Sequence, residues 1–469
     1  MSLGSITSPG ASDGAPDIWQ APRPKGNPFL GNLPDLRQDP LRYLMEVSQK
    51  HGEIVPLNLG PSKVVLVAQP DAIDHVLQRN YRNYHKSPFY QKLRPVLGDG
   101  LVMAEDDDWR RQRQLIQPAF HKDRLQAFDN IVVSATAEML DGWSVAERED
   151  APVDVFDSMM ALSLEVMIRA FFGISAPHVK QTVMECVAIM LDDSERRVWS
   201  LFDLPMSVPT PNNVRLRRAI ERLDSVVLEI VERHRNNPNQ APNLLSMMAD
   251  AVGDPETEWF GIGQLLDEVK TMLIVGHETT GTALAWTFYL LSRHPDAWRR
   301  MQEEIATNLG PGTPTAADAA GLKFTRMVIQ ESLRLYPPAW TMSRVALEDD
   351  CIGGYAIPAG TNLMLSPYIV QRNAAYWPNP EGFDPARFEN FDTGKQTADT
   401  YFPFGGGPRR CIGEHFAVME MSLVLAMITQ KFRLDLIPGQ NVQPVPKISL
   451  RPSKAVQMSV NRVDHPRYH

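Results

Sequence analysis

What this chain has little of already narrows its identity. Cysteine is scarce: Cys186, Cys351 and Cys411 are the three in 469 residues, and no CxxC pair occurs. An odd number of scattered thiols excludes a disulfide scaffold and fits a reducing compartment, the cytoplasm, better than an oxidising one. Long apolar runs are missing too. The longest uncharged one, Thr279 to Ser292, falls short of the roughly 20 residues that cross a bilayer. No membrane anchor is therefore expected, and the stretch reads as a buried helix. Met1 to Asp17 is rich in Gly, Ser, Ala and Pro and has no apolar core region. That argues against a secretory signal and predicts a disordered tail over residues 1–21. Basic charge is in deficit: 47 basic against 56 acidic side chains give a net charge of −9, the wrong sign for a nucleic-acid binder. No internal repeat is visible.

What is present points to a large helical enzyme. Apolar residues make up 43% of the chain, enough to bury a sizeable core. No linker divides it, so a single domain over residues 22–469 is expected. Ile54 to Ala68 alternates and is β-branched, which predicts a hairpin. Most periodic segments from Asp71 to about Glu348 read as helix, and Thr361–Leu365 and Ala455–Val460 as short strands. The predicted fold class is mainly α with small β-sheets. From about Trp259 to Arg293 there is no proline, and Pro295 marks the stop. At ~1.5 Å per residue this helix would run roughly 50 Å, across a whole domain. It is apolar on more than one face, so it should be central. Gly276, His277, Glu278, Thr279 and Thr280 nevertheless sit in its middle, and polar groups in a buried helix need a reason.

A second segment carries chemistry. Phe404 to Gly413 reads FGGGPRRCIG, a tight Gly/Pro loop ending in a cysteine at the start of a helix. Amides at a helix N-terminus stabilise a thiolate, and Arg409 and Arg410 favour the same anion. Glycines at 405, 406 and 407 let the backbone approach a flat ligand. Taken alone, Cys411 reads first as a buried structural thiol beside a turn.

The spacing of Phe404, Gly407, Arg409, Cys411 and Gly413 resembles the cysteine-ligand loop of the cytochromes P-450, FxxGxRxCxG. Four further matches follow the family order: Trp109 and Arg113 (WxxxR); Gly276, Glu278, Thr279 and Thr280 on the long helix; Glu331 and Arg334 (ExxR); and Phe383, Pro385, Arg387 and Phe388 (FxPxRF). The resemblance runs from about Pro22 to the C-terminus and implies the fold of that family, with a long oxygen-activating helix over haem b. It implies Cys411 as the axial thiolate and metal ligand, beside Phe404. Arg409, Trp109, Arg113 and Arg344 would hold the propionates. Glu331, Arg334 and Arg387 would form a structural triad locking the cysteine loop. Gly276, Glu278 and Thr279 would be the catalytic motif, with Thr279 on the bound O2 and Glu278 relaying protons.

The same resemblance places Phe89, Tyr90, Leu101, Val102, Trp199, Phe202, Leu204, Met206, Trp340 and Met342 around a lipophilic substrate: a fatty acid, a terpenoid or a polyketide-like molecule. Val275 departs from the family, which often has Ala or Gly there. Being β-branched it is stiff, and it is expected to act as a steric gate. No reductase segment is visible, so electrons should come from a ferredoxin or flavodoxin with its NAD(P)H reductase. Docking is expected on a basic cluster of Arg110, Arg111, Lys122, Arg124 and Arg410. The chain is expected to be a monomer. Two other readings stay open, a peroxide-driven haem oxygenase and a haem-binding sensor or electron carrier. Neither would need Glu278 and Thr279.

Overall fold

The structure, a computed structural model, describes residues 14–121, 128–172, 177–200, 204–236, 243–391 and 400–463. The chain forms two compact units. The first comprises Met1–Phe89, Ala339–Gly382 and Asp392–Cys411; the second comprises Tyr90–Pro338, Phe383–Phe391 and Ile412–His469.

The first unit is built on a five-stranded sheet. Ile54–Leu59 and Ser62–Val67 form its antiparallel hairpin, with Ile54 opposite Val67 and Leu59 opposite Ser62. Ser62–Val67 runs parallel to Asn362–Leu365. That strand pairs antiparallel with Met342–Ala346, which in turn pairs with Tyr84–Lys86 at the edge. Val64 to Val67 are buried without alternation, as a strand covered on both faces requires. Order begins earlier than the tail expected over residues 1–21. The Asp17 carboxylate accepts from Trp19 N at 2.9 Å and caps a 3-10 turn over Ile18–Gln20, whose Ile18 is fully buried. Residues 1–13 lie outside the described residues.

The second unit is helical. Its main helices are α1 (Asp106–Ile116), α2 (Val155–Phe172), α3 (Pro177–Trp199), α4 (Pro211–Asn236), α5 (Ile262–Arg293), α6 (Lys323–Leu335) and α7 (Glu414–Lys431). A three-stranded sheet orders Val153–Asp154, Gln457–Arg462 and Phe432–Leu436. A hairpin pairs Pro444–Pro446 with Leu450–Pro452. Helix α5 starts after an extended Gly261, three residues later than its periodicity predicts, and ends before Pro295. It packs most extensively on α2. The hairpin is pinned to α5 by the fully buried Trp286, whose Nε1 donates to Leu450 O at 2.6 Å. The same indole stacks on Tyr336 with ring centroids 3.9 Å apart. Among the described residues no helix is long and apolar enough to cross a membrane.

Candidate functional site

In the first unit the cysteine loop is closed by Cys411 N donating to Phe404 O at 2.9 Å, with a 3-10 turn at Gly407–Arg409 inside it. Gly407 has φ +62°, and a Cβ there would lie 1.9 Å from Leu77 O. Only glycine lets the loop rest on the segment His75–Arg79. That segment is held in turn by one carboxylate. Asp350 Oδ2 accepts from His75 Nε2 at 2.8 Å, Asn80 Nδ2 at 2.9 Å and Tyr84 Oη at 2.5 Å. Burial alone would raise the Asp350 carboxyl, but these bonds and the Cys351 amide outweigh it and hold it well below the usual carboxylate range. Burial and the bond to Asp350 both push the Tyr84 hydroxyl upward. Asp350 carries no signal in the sequence, because its partners lie 266 to 275 residues away along the chain.

Cys411 is solvent-exposed, which removes the reading of a buried structural cysteine. Phe404 and Arg409 are half-buried beside it. Met342 Cε lies 3.9 Å from where a Gly405 Cβ would stand. Trp340 is buried, with its carbonyl accepting from Ser366 Oγ at 2.7 Å. Phe89 is partly exposed, and its amide donates to Ser87 Oγ, which bonds Ser343 Oγ at 3.0 Å. Arg344, on the same strand as Met342, is only 8% exposed. Its Nη1 donates to the neighbouring Ser343 carbonyl at 2.9 Å, and no carboxylate pairs with it among the described residues. A buried guanidinium without an acid is unfavourable unless a ligand supplies the anion. An accessible thiol on a glycine-closed loop, and a buried cation lacking an acid, fit a flat anionic macrocycle bound through sulfur.

In the second unit every residue of α5 from Glu268 to Phe288 is buried except Val275, Gly276 and Thr279. Val275 and Thr279 are four residues apart and share a face. Thr279 Oγ1 donates to Val275 O at 2.9 Å, which leaves its lone pairs to accept a bond. Gly276 has a packing reason: a Cβ there would lie 2.3 Å from Met167 Cε on α2.

Glu278 is buried, and its surroundings were not legible in the sequence. Arg451 grips it with Nε on Oε1 at 2.5 Å and Nη2 on Oε2 at 2.6 Å, and Ser449 Oγ donates to Oε1 as well. Ser449 also meets Thr282 Oγ1 at 3.4 Å. The acid expected to relay protons is thus one half of a bidentate ion pair with the hairpin. Burial lowers the Arg451 pKa, but the bonds and charge of Glu278 outweigh it and raise the guanidinium overall. The Arg451 side chain is 21% exposed, so the pair reaches from the helix interior to solvent. The neighbouring His277 is buried and bonded to Leu273 O at 2.5 Å; desolvation pushes its pKa down, so the ring is neutral.

Glu331, Arg334 and Arg387 come together. Arg334 donates from Nε at 2.6 Å and Nη2 at 2.8 Å to the Glu331 carboxylate; Arg387 Nε and the Asp384 amide reach Oε1 at 3.0 and 2.9 Å. Glu331 and Arg334 are completely buried. Trp109 and Arg113 lie one turn apart on α1, both partly covered. Of the expected basic docking cluster, Arg110, Arg111 and Arg410 are exposed. Arg110 and Arg111 are paired with Asp107 and Asp108 on the same helix, in exposed i,i+3 pairs. Those aspartates stand three residues back in the sequence, a spacing that brings the side chains together on a helix. Lys122, Arg124 and Phe202 lie outside the described residues.

Comparison with known proteins places the chain among one group. The sequence model of the cytochrome P-450 family matches residues 21–460. Cyclooctatin synthase of Streptomyces melanosporofaciens is 34% identical over 91% of this chain and 92% of its own length. Cyclooctat-9-en-7-ol 5-monooxygenase of the same organism is 34% identical over 89% and 90%. Pentalenene oxygenase of Streptomyces avermitilis is 31% identical over 90% and 93%.

Proposed function

Because this chain belongs to the cytochrome P-450 family and is a monooxygenase, we propose that it inserts one oxygen atom from O2 into a cyclic terpenoid, using haem b held through Cys411. The observation that carries this reading is the exposed Cys411 on its glycine-closed loop, in the same unit as the acid-free, buried Arg344. Cys411 would ligate the iron, and Arg344, Arg409, Trp109 and Arg113 would hold the haem carboxylates. Haem ligated by a thiolate would supply the oxygen-activating chemistry when bound.

The chain's own residues supply the protons and the positioning. Thr279 Oγ1 bonds the helix carbonyl through its hydrogen and accepts a proton donor on its open side. Glu278 takes a proton at its carboxylate when Arg451 loosens, drawing on the solvent that Arg451 reaches. Val275, stiff at χ1, stands one turn before Thr279 and limits which substrate carbon approaches. A rigid polycyclic substrate suits a stiff gate better than a flexible fatty acid does, and the three relatives are named for cyclooctatin, cyclooctat-9-en-7-ol and pentalenene. Electrons would come from a separate ferredoxin or flavodoxin and its reductase.

The test is turnover of cyclic terpene hydrocarbons and alcohols with NADPH, a ferredoxin and its reductase, with hydrogen peroxide as the parallel oxidant. We expect mono-oxygenated product from the reductase route. In Thr279→Ala, substrate binding should persist while product formed per NADPH falls severalfold and peroxide accumulates. Equal coupling in wild type and variant, or product from peroxide alone, would overturn the assignment.

A further inference from the structure

Four side chains on one stripe of α5 are committed to the backbone of a single loop. Gln264, Asp267, Glu268 and Thr271 stand at helical spacings of three and four, so they share a face. Gln264 Nε2 donates to Asp99 O at 3.0 Å, and Asp267 Oδ2 accepts from Asp99 N at 2.8 Å. Glu268 Oε2 accepts from Leu101 N at 3.0 Å, and Thr271 Oγ1 donates to Leu97 O at 3.3 Å. Gln112 of α1 adds a bond to Asp99 O at 3.1 Å. The fit is close enough to forbid side chains. A Cβ on Gly98, where φ is +57°, would lie 2.0 Å from the Asp267 carboxyl carbon, and one on Gly100 would lie 2.2 Å from Thr271 Oγ1. Continued by four residues, the stripe reaches Val275, about 6 Å further along the axis, and then Thr279.

We propose that Gln264, Asp267, Glu268 and Thr271 form a latch that seats the loop Gly98–Leu101 on α5 one turn before Val275, and that its opening governs which substrates reach that face. The substrate half of this inference rests on the proposed monooxygenase function; the latch itself does not. Because every bond goes to backbone, the latch constrains position 98 and position 100 and leaves the other loop side chains free to vary.

The latch also senses pH. Glu268 is fully buried, and burial pushes its carboxyl up to about 7, against the lowering bonds from Leu101 N and Gln264 and with a raising contribution from Asp267. The other charges around it are already paired: Lys270 bridges Asp267 at 3.1 Å and Asp224 of α4 at 3.2 Å, and Arg94 pairs with Asp99. Opening the loop returns Glu268 to water and to its ordinary value of 4.5. Protonation therefore favours the closed loop, and closure weakens as pH rises from that value to about 7. Between pH 5.5 and 7.5 the opening equilibrium should grow roughly twentyfold.

Hydrogen exchange of the haem-loaded protein, corrected for intrinsic rates, reads this directly at the amides of Asp99 and Leu101. In wild type their protection should fall roughly twentyfold between pH 5.5 and 7.5. Glu268→Gln should be flat across that range. Gly98→Ala should lose protection at both pH values, with Asp267→Ala, which removes the acceptor for Asp99 N, as the second variant should the change at Gly98 destabilise the fold. Stopped-flow binding to the haem should show clotrimazole, a bulky azole, associating faster in the unlatched variants, with imidazole unchanged. Unprotected wild-type amides, or an undiminished pH dependence in Glu268→Gln, would overturn the latch. Altered protection with unaltered azole entry would overturn its role towards substrate. Failure to bind haem at all would instead strike the proposed function.

Discussion

At the scale of single residues, the pair Glu278–Arg451 puts a buried charge at risk. Glu278 has almost no solvent and takes both guanidinium bonds from Arg451. Removing one partner of a buried pair typically costs about 3–5 kcal/mol, because the other charge is stranded. Arg451→Met should therefore lower stability by that order. The double variant Arg451→Met with Glu278→Leu should recover much of the loss, since two apolar groups need no partner. Urea unfolding of the four proteins gives the coupling directly, and an additive result would mean that the two side chains do not meet. Cys411 makes a different demand. Cys411→His removes the thiolate, so the reduced carbon-monoxide complex should lose the red-shifted absorption of a thiolate-ligated haem. If that band survives, Cys411 is not the ligand.

At the scale of elements, the crossing of α2 and α5 separates two glycines that the sequence does not distinguish. A Cβ at Gly276 would meet the tip of Met167, at 2.3 Å from Cε, whereas one at Gly281 would lie 2.9 Å from Met160 Cα and 3.0 Å from Met159 O. A methionine end can swing away; a helix backbone cannot. Gly281→Ala should cost about 1–3 kcal/mol as overpacking, and Gly276→Ala clearly less. Thermal unfolding of both variants checks the order, and equal losses would refute the reasoning. These positions show what the sequence does and does not reveal. The hairpin at Ile54–Val67, the long helix and the closure of the cysteine loop were readable because each depends on neighbours a few residues apart. Glu331 and Arg334 were readable for the same reason, being one turn apart on α6, and Arg387 entered through its motif. Arg451 and Ser449 were not, since they meet Glu278 across 173 and 171 residues. Asp350 escaped in the same way. Nor does a helical glycine announce which neighbour it must admit, and so Gly276 read as part of a catalytic motif when a helix crossing also requires it.

At the scale of the whole molecule, buried acids set how stability follows pH, and the two units carry opposite signs. In the first unit the Asp350 carboxyl is held below its ordinary range by its hydrogen bonds, despite its burial. Its contribution is present above the unfolded value of 3.8 and is lost as pH falls. In the second unit Glu420 of α7 is fully buried, bonded by Ser163 Oγ at 2.8 Å, with no partner for Oε2 among the described residues. Burial pushes it up to about 8, and Glu268 up to about 7. A raised carboxyl favours the folded state while it is protonated. That contribution is complete below the unfolded value of 4.5 and is lost as pH climbs through the folded one. The second unit should thus weaken from about pH 5 to pH 8, by up to ~1.4 kcal/mol per pH unit for each such proton. Glu420→Gln keeps the size and polarity of the side chain but cannot ionise. Relative to wild type it should gain stability steadily across that range. Urea midpoints of the haem-loaded proteins at pH 5, 6, 7 and 8 measure the difference. If the two curves run parallel throughout, Glu420 does not sit in the dry contact between α2 and α7 where Ser163 meets it.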